Sequence, residues 1–194
     1  MRVTRVQSEE NRQAVINAAS RLFRERGFDG IGLNDLMKAA GLTHGGFYKK
    51  FKSKEDLAMQ ACTRALDKSR VKWARVVVRA KESPFAAIVR FYLSPRHRDN
   101  PGDGCAFAAL GADAGRLDHD FRQIFETELE AHLDFLDNVL SAKPDEETRN
   151  RSIAALSTMV GALVISRAVN NPLLSERFLK ASADAIIAGQ TPES

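Results

Sequence analysis

The chain has 194 residues, 44% of them hydrophobic and 28% charged, with a net charge of +4 and two cysteines, Cys62 and Cys105. These proportions suit a globular chain with a sizeable core and exclude a disulfide-stapled mini-domain. No apolar run approaches the ~20 residues of a bilayer-spanning helix, and the basic start Met1-Arg2-Val3-Thr4-Arg5 leads into polar sequence. The expectation is a cytoplasmic protein with free thiols.

Helical periodicity runs through nearly every segment. Val15, Ala18, Ala19, Leu22 and Phe23 recur at i, i+3, i+4 and i+7, and Gly27 ends that first helix. A short helix follows from about Leu33 to Ala40, stopped by Gly41. Thr43 is placed to cap a third short helix carrying Phe47 and Phe51 on one face. Ser53-Lys54-Glu55-Asp56 has capping-box spacing and opens a long helix to about Ala80. That pattern keeps Val76-Val77-Val78 helical despite their β-branching.

Beyond it, Ser83-Pro84 starts a helix striped with Phe85, Ile88, Val89 and Tyr92. Pro95 to Gly104 reads as a loop. A short helix from Asp103 or Gly104 to about Asp113 comes next. Asp118 caps a longer one bearing Phe121, Phe125, Leu129, Leu136 and Leu140, which Pro144 breaks. Asp145–Asn171 and Leu174–Ala188 complete an all-α chain of about nine helices: three small ones, a connector and a five-helix body.

Charge divides this series. Residues 1–54 carry 11 Lys+Arg against 5 Asp+Glu, a net +6; residues 55–194 carry 18 against 20, a net −2. The expected boundary therefore falls at 54/55: a basic module over 1–54 suited to a polyanion partner, and a near-neutral helical body over 55–194.

The stretch Leu33 to Phe51 has the form of a helix-turn-helix: two short helices about a glycine turn, with Leu36, Ala40, Leu42, Phe47 and Phe51 facing inward. His44, Tyr48 and Lys49 are left outward, where a second helix meets the major groove. Gly46 stands where a capping box would put an acid, which leaves that helix's N-terminal amides open to a phosphate. Gly45 and Gly46 each cost about 1 kcal/mol of helix stability relative to Ala, a cost that close backbone approach to DNA would justify.

Gly41-Leu-Thr-His-Gly-Gly-Phe-Tyr-Lys-Lys-Phe-Lys-Ser-Lys-Glu-Asp-Leu57, with Ala18-Ala19-x-x-Leu22-Phe23-x-x-x-Gly27-Phe28 and Leu36-x-x-Ala39-Ala40-Gly41, resembles the signature of TetR-family repressors. The resemblance is close over about residues 11–60 and only architectural beyond. It implies phosphate contacts from Thr43, Tyr48 and Lys54, and base-facing positions at His44, Gly45 and Lys49. Lys50 stands where the family commonly has His or Tyr and would add a cationic contact. Gly32 departs from the family's usual Thr, and loses that residue's phosphate contact.

The resemblance also implies a homodimer joined through the last two helices. Ile153, Leu156, Val160, Leu163, Val164, Phe178 and Ile186 are the candidate dimer residues, and an unidentified small-molecule effector is the further partner. Trp73, Phe91, Tyr92, Phe107, Phe121, Phe125 and His132 are candidate pocket residues. Cys105, after Gly-Asp-Gly and near a helix start, is a candidate redox thiol, with Asp103 opposing thiolate formation.

An enzyme is the rival class. The four histidines form no HExxH, the cysteines no CxxC, and Glu128 with His132 supplies two potential ligands, too few for a metal site. No catalytic residue, metal or cofactor is expected. A non-specific, DNA-coating protein would suit a more uniformly basic chain.

Overall fold

A computed structural model describes residues 5–81 and 83–189; Met1-Arg2-Val3-Thr4, the start of the basic opening, lies outside them. The described residues form nine α-helices and no strand: α1 (Arg5–Arg26), α2 (Leu33–Ala39), α3 (Lys54–Arg79), α4 (Pro84–Tyr92), α5 (Pro95–Arg98), α6 (Ala106–Ala114), α7 (His119–Leu140), α8 (Glu146–Ala168) and α9 (Pro172–Ala188). Two 3₁₀ turns, His44–Gly46 and Pro101–Asp103, separate them.

The count of nine agrees with the sequence, but the nine are not the same. The expected third helix is a 3₁₀ turn. In exchange, one α-helical turn, α5, forms inside the expected loop. Pro95 sets its first residue, the Ser94 hydroxyl accepts from the His97 amide at 3.3 Å, and Arg167 donates to the carbonyls of His97 (2.8 Å) and Arg98 (3.0 Å). The last of these is a tertiary contact with no local signal.

Other boundaries follow local chemistry. Gly27, at φ 73°, ends α1 by donating to the Phe23 carbonyl at 2.8 Å. The Asp118 carboxylate accepts from Phe121 N at 2.9 Å and Asp145 from Thr148 N at 2.8 Å. Asn171 caps α9 through the amides of Leu173 and Leu174, so that helix begins at Pro172, two residues before the sequence suggests.

The chain gathers into two compact units. Among the described residues, one holds those through Asp67 with Pro101–Phe125; the other holds those of Lys68–Asn100 with those from Glu126 onward. The compact unit around the helix-turn-helix is thus larger than residues 1–54. In it α1 packs against α2, α6 and the Pro101–Asp103 turn. Val15, Leu22, Phe23, Leu36, Met37 and Phe47 are buried at its centre, each worth roughly 1.5–3 kcal/mol of apolar transfer. Arg24 is buried there too: its Nε donates to the Gly102 carbonyl at 3.1 Å and its Nη1 to the Ser20 hydroxyl at 3.0 Å. Burial pulls its guanidinium below the ordinary arginine range, and Asp103 opposes that shift.

In the second unit α8 packs along α9, and α9 also meets α4. Leu156, Met159, Leu163, Leu179 and Ile186 are buried. Despite the expectation that no segment would qualify, α8 is long and apolar enough to cross a membrane by length and composition. Its Ser, Thr and Gly residues break up the apolar runs without adding charge.

Gly30 is a constraint the sequence did not reveal. A Cβ there would lie 1.9 Å from the Arg26 carbonyl oxygen, a backbone atom that cannot rotate away. Gly30→Ala is expected to destabilise the protein by about 1–3 kcal/mol, read as a lower midpoint in urea unfolding.

Candidate nucleic-acid interface

The interface is built outward from a buried base. Gly41, at φ 72°, lets the chain reverse after α2, and the Leu42 amide returns to the Met37 carbonyl at 2.9 Å. The chain then delivers Phe47 and Phe51 into the core, with ring centroids 5.4 Å apart. Arg12 of α1 lies over the Phe51 ring at 5.7 Å. Of the residues expected inward, Leu36, Phe47 and Phe51 are buried, while Ala40 and Leu42 are half-buried. Met37, fully buried, belongs with them; its spacing of four from Leu33 and three from Ala40 is the signal for it.

Burying these residues leaves Thr43, His44, Gly45, Tyr48 and Lys49 exposed on one short segment, with Gly46, Lys50 and Lys54 half-buried. Tyr48 is 67% exposed, its ring edge-on to Phe47 at 5.1 Å and to His44 at 6.2 Å. Its ring and hydroxyl are therefore open to solvent beside Lys49.

Three expectations for this segment change. Thr43 occupies the N-cap position, but its hydroxyl makes no capping bond. Second, the segment is not an α-helix: Gly46 N bonds Thr43 O at 3.1 Å and Phe47 N bonds His44 O at 3.0 Å, both i to i−3. Two adjacent glycines weaken the α form enough to account for this. A three-residue turn carries little macrodipole, so the anion site expected at its N-terminus has no helix behind it. Third, Lys50 is turned toward α1, donating to the Ser8 carbonyl at 2.9 Å and to its hydroxyl at 3.3 Å. It braces the module instead of standing free.

At the next junction the capping chemistry appears in altered form. The Ser53 hydroxyl accepts from Asp56 N at 3.2 Å, and the Asp56 carboxylate reaches past the cap to Lys52 N at 2.8 Å. The Ser53 hydroxyl and a backbone amide hold the Glu55 carboxyl below its usual range. Gly32 caps α2 with extended backbone, and nothing lies within 4 Å of where its Cβ would be.

The candidate pocket residues do not form one set. Trp73, Tyr92 and His132 cluster in the second unit, with Trp73 6.2 Å from Tyr92, 5.2 Å from His132 and 6.0 Å from Phe135. Phe107, Phe121 and Phe125 belong to the first, where Phe107 meets Phe125 and Phe121 meets Phe28, each at 5.1 Å. Phe91 is 37% exposed and stacks on His97. The His132 ring nitrogen sits 2.7 Å from the Glu128 carbonyl, and Glu128 pairs with Arg70 at 3.5 Å. A hollow of about 580 Å³ in the second unit is lined instead by Arg90, Leu93, Leu173, Glu176 and Leu179, among others.

The candidate dimer residues also divide. Leu156, Leu163 and Ile186 are buried within the chain, and Val160 and Phe178 are half-buried. Ile153 and Val164 are 44% and 42% exposed, about three helical turns apart and therefore on one line of α8. Ile165, Leu173 and Leu174 are exposed as well. Cys105 is the N-cap of α6, as its place near a helix start suggests, and is buried.

Comparison with known proteins follows this geometry. Residues 15–61 match the family described as bacterial regulatory proteins, tetR family. The HTH-type transcriptional regulator AcrR of Shigella flexneri is 41% identical over 56 residues, 29% of this chain and 26% of that protein. The HTH-type transcriptional regulator SAUSA300_2515 of Staphylococcus aureus (strain USA300) is 38% identical over 63 residues, 32% of this chain and 34% of that one. These matches span a quarter to a third of the relatives' length. The fold is similar to that of a TetR-family regulator from Cytophaga hutchinsonii, with a TM-score of 0.80, 21% identity, and 97% and 98% of the two chains covered. It is also similar to the reduced form of E. coli NemR, with a TM-score of 0.76, 19% identity, and 91% and 95% coverage.

The division between buried base and open display has a mutational signature. Phe47→Ala is expected to cost about 3–5 kcal/mol of stability. Thr43→Ala, which removes no capping bond, is expected to stay within about 0.5 kcal/mol. Thermal unfolding of the two variants checks both.

Proposed function

We propose that this chain, whose residues 15–61 belong to the TetR family of bacterial regulatory proteins, is a cytoplasmic transcriptional repressor that binds a pseudo-palindromic operator as a homodimer and is released by a small molecule. One observation carries the reading: Thr43, His44, Tyr48 and Lys49 stand open on a segment whose buried side is locked by Phe47 and Phe51. In this reading Thr43, Tyr48 and Lys54 hold phosphates, which sets register, while His44 and Lys49 read base edges. Gly45, exposed with open space where a Cβ would lie, brings backbone close to the DNA. The dimer closes through the open line of α8, Ile153 and Val164, so that two recognition segments meet two half-sites.

Release needs an effector that binds the DNA-incompetent state more tightly than the competent one. Such an effector, held in the second unit near Trp73, Tyr92 and His132, acts on the first through α3 and α7, helices whose residues belong to both units. A change in the spacing of the recognition segments then prevents both half-sites from being met at once.

Selection from random duplexes at near-physiological salt is the test. Enrichment of a two-fold motif with half-sites about one helical turn apart is the expected result. Weak, steeply salt-dependent binding without enrichment would instead mark a general DNA binder and refute the operator reading. The dimer face is checked separately: Ile153→Asp/Val164→Asp is expected to run as a monomer in light scattering, with unchanged helicity and no two-fold site occupancy.

A second reading follows from the place of Cys105 at the N-cap of α6, since a helix N-terminus favours thiolate. In this reading the effector is a thiol-reactive electrophile that modifies Cys105. Loss of operator binding on electrophile treatment in the parent chain but not in Cys105→Ser is the expected outcome; equal loss in both refutes it.

A further inference from the structure

We infer that the recognition segment is held short of an α-helix in the free protein and winds into one on DNA, with Gly46 setting the balance. The inference rests on the DNA-binding reading above. It starts from the hydrogen bonds of residues 43–51. Gly46 and Phe47 bond i to i−3, and Lys50 N returns to Phe47 O at 2.8 Å, again i to i−3. One α-type bond is present, Phe51 N to Phe47 O at 3.0 Å. The amides of Tyr48 and Lys49 bond to no backbone carbonyl among the described residues. In an α-helix they would reach His44 and Gly45, and Lys50 would reach Gly46.

The distance to that state is small. Thr43 already has the extended backbone of an N-cap (φ −89°, ψ 151°), and Phe47 already lies in the right-handed helical region (φ −63°, ψ −59°). Between them stand His44, Gly45 and Gly46. The two glycines withhold roughly 1 kcal/mol each relative to alanine.

Winding changes what the groove meets. The free segment follows a 3₁₀ path, at about 120° per residue, only over His44–Gly46, so positions 44, 45, 48 and 49 share no single helical register. At about 100° per residue, the α form gathers the same four within about 140°, a single face. The α form is therefore the one that presents His44, Gly45, Tyr48 and Lys49 together, and base contacts made only in that form supply the free energy that winds it.

The two glycines have separate roles. Gly45 is exposed, with nothing within 4 Å of where a Cβ would lie, and belongs to the face turned to DNA. Gly46 is half-buried, and a Cβ there would meet only the Met37 methyl at 3.8 Å, an ordinary contact. Alanine at 46 thus raises helix propensity without projecting toward the groove.

The test is amide hydrogen exchange at Tyr48 and Lys49, in the full chain free and bound to its selected duplex, for the parent protein and Gly46→Ala. Fast exchange in the free parent, slowed on DNA, is expected. Gly46→Ala is expected to slow exchange before DNA is added and to bind about fivefold more tightly, with the same preferred sequence. Slow exchange in the free parent, unchanged exchange on a bound duplex, or a folded Gly46→Ala protein that binds no more tightly would overturn the winding. The parent's exchange decides the matter even where the variant does not fold. If neither protein binds any duplex, the DNA-binding reading falls and takes this inference with it.

Discussion

Phe47 is the point from which the interface is suspended. It sits at the centre of a segment with two glycines before it and three lysines within the next five residues, a composition that favours neither helix nor burial. Its ring is nonetheless fully buried, beside Phe51 and in the core that Leu36 and Met37 also enter. Because that one side chain is fixed, the residues on either side of it are forced outward. His44 and Tyr48 face solvent because Phe47 does not. Apolar transfer free energy, not helix propensity, sets the orientation of the recognition segment. That is why its backbone can stop short of regular helix without losing its place.

The same separation of roles runs through the basic residues. Positive charge over residues 1–54 is a real asymmetry, but its members are not equivalent. Arg24 is a buried strut on the Gly102 carbonyl, Arg12 covers Phe51, and Lys50 braces Ser8. Lys49 remains exposed and Lys54 half-buried at the head of α3. A count of cations therefore overstates how many are available to a polyanion, since guanidinium and ammonium groups also serve as multi-donor fasteners for carbonyl oxygens.

In the second unit, α8 shows how one helix carries two surfaces. Ser152, Leu156, Met159 and Leu163 form its buried stripe, and Ile153 and Val164 its open one. A helix apolar on both sides is long and apolar enough to cross a membrane by length and composition. In the proposed dimer its outer side meets a second copy of the chain instead.

The sequence by itself determined the helical class, most helix ends, and the buried and open sides of the helix-turn-helix. These depend on short-range rules: apolar spacing at 3.6 residues per turn, Gly27 and Gly41 at positive φ, and caps at Ser83 and Asp118. Tertiary structure decided the rest. Helical periodicity could not say which apolar stripe of α8 stays within the chain, because both satisfy the same spacing. It grouped Trp73 with Phe107 and Phe121, because spacing along a helix says nothing about which neighbour that helix packs against. Nor could it foresee α5, which Arg167 holds from some 70 residues away, or the need for glycine at position 30, where the neighbour is the chain's own carbonyl at Arg26. Each of these depends on atoms distant in sequence or on the backbone path itself, and neither is encoded in the pattern of side chains along the chain.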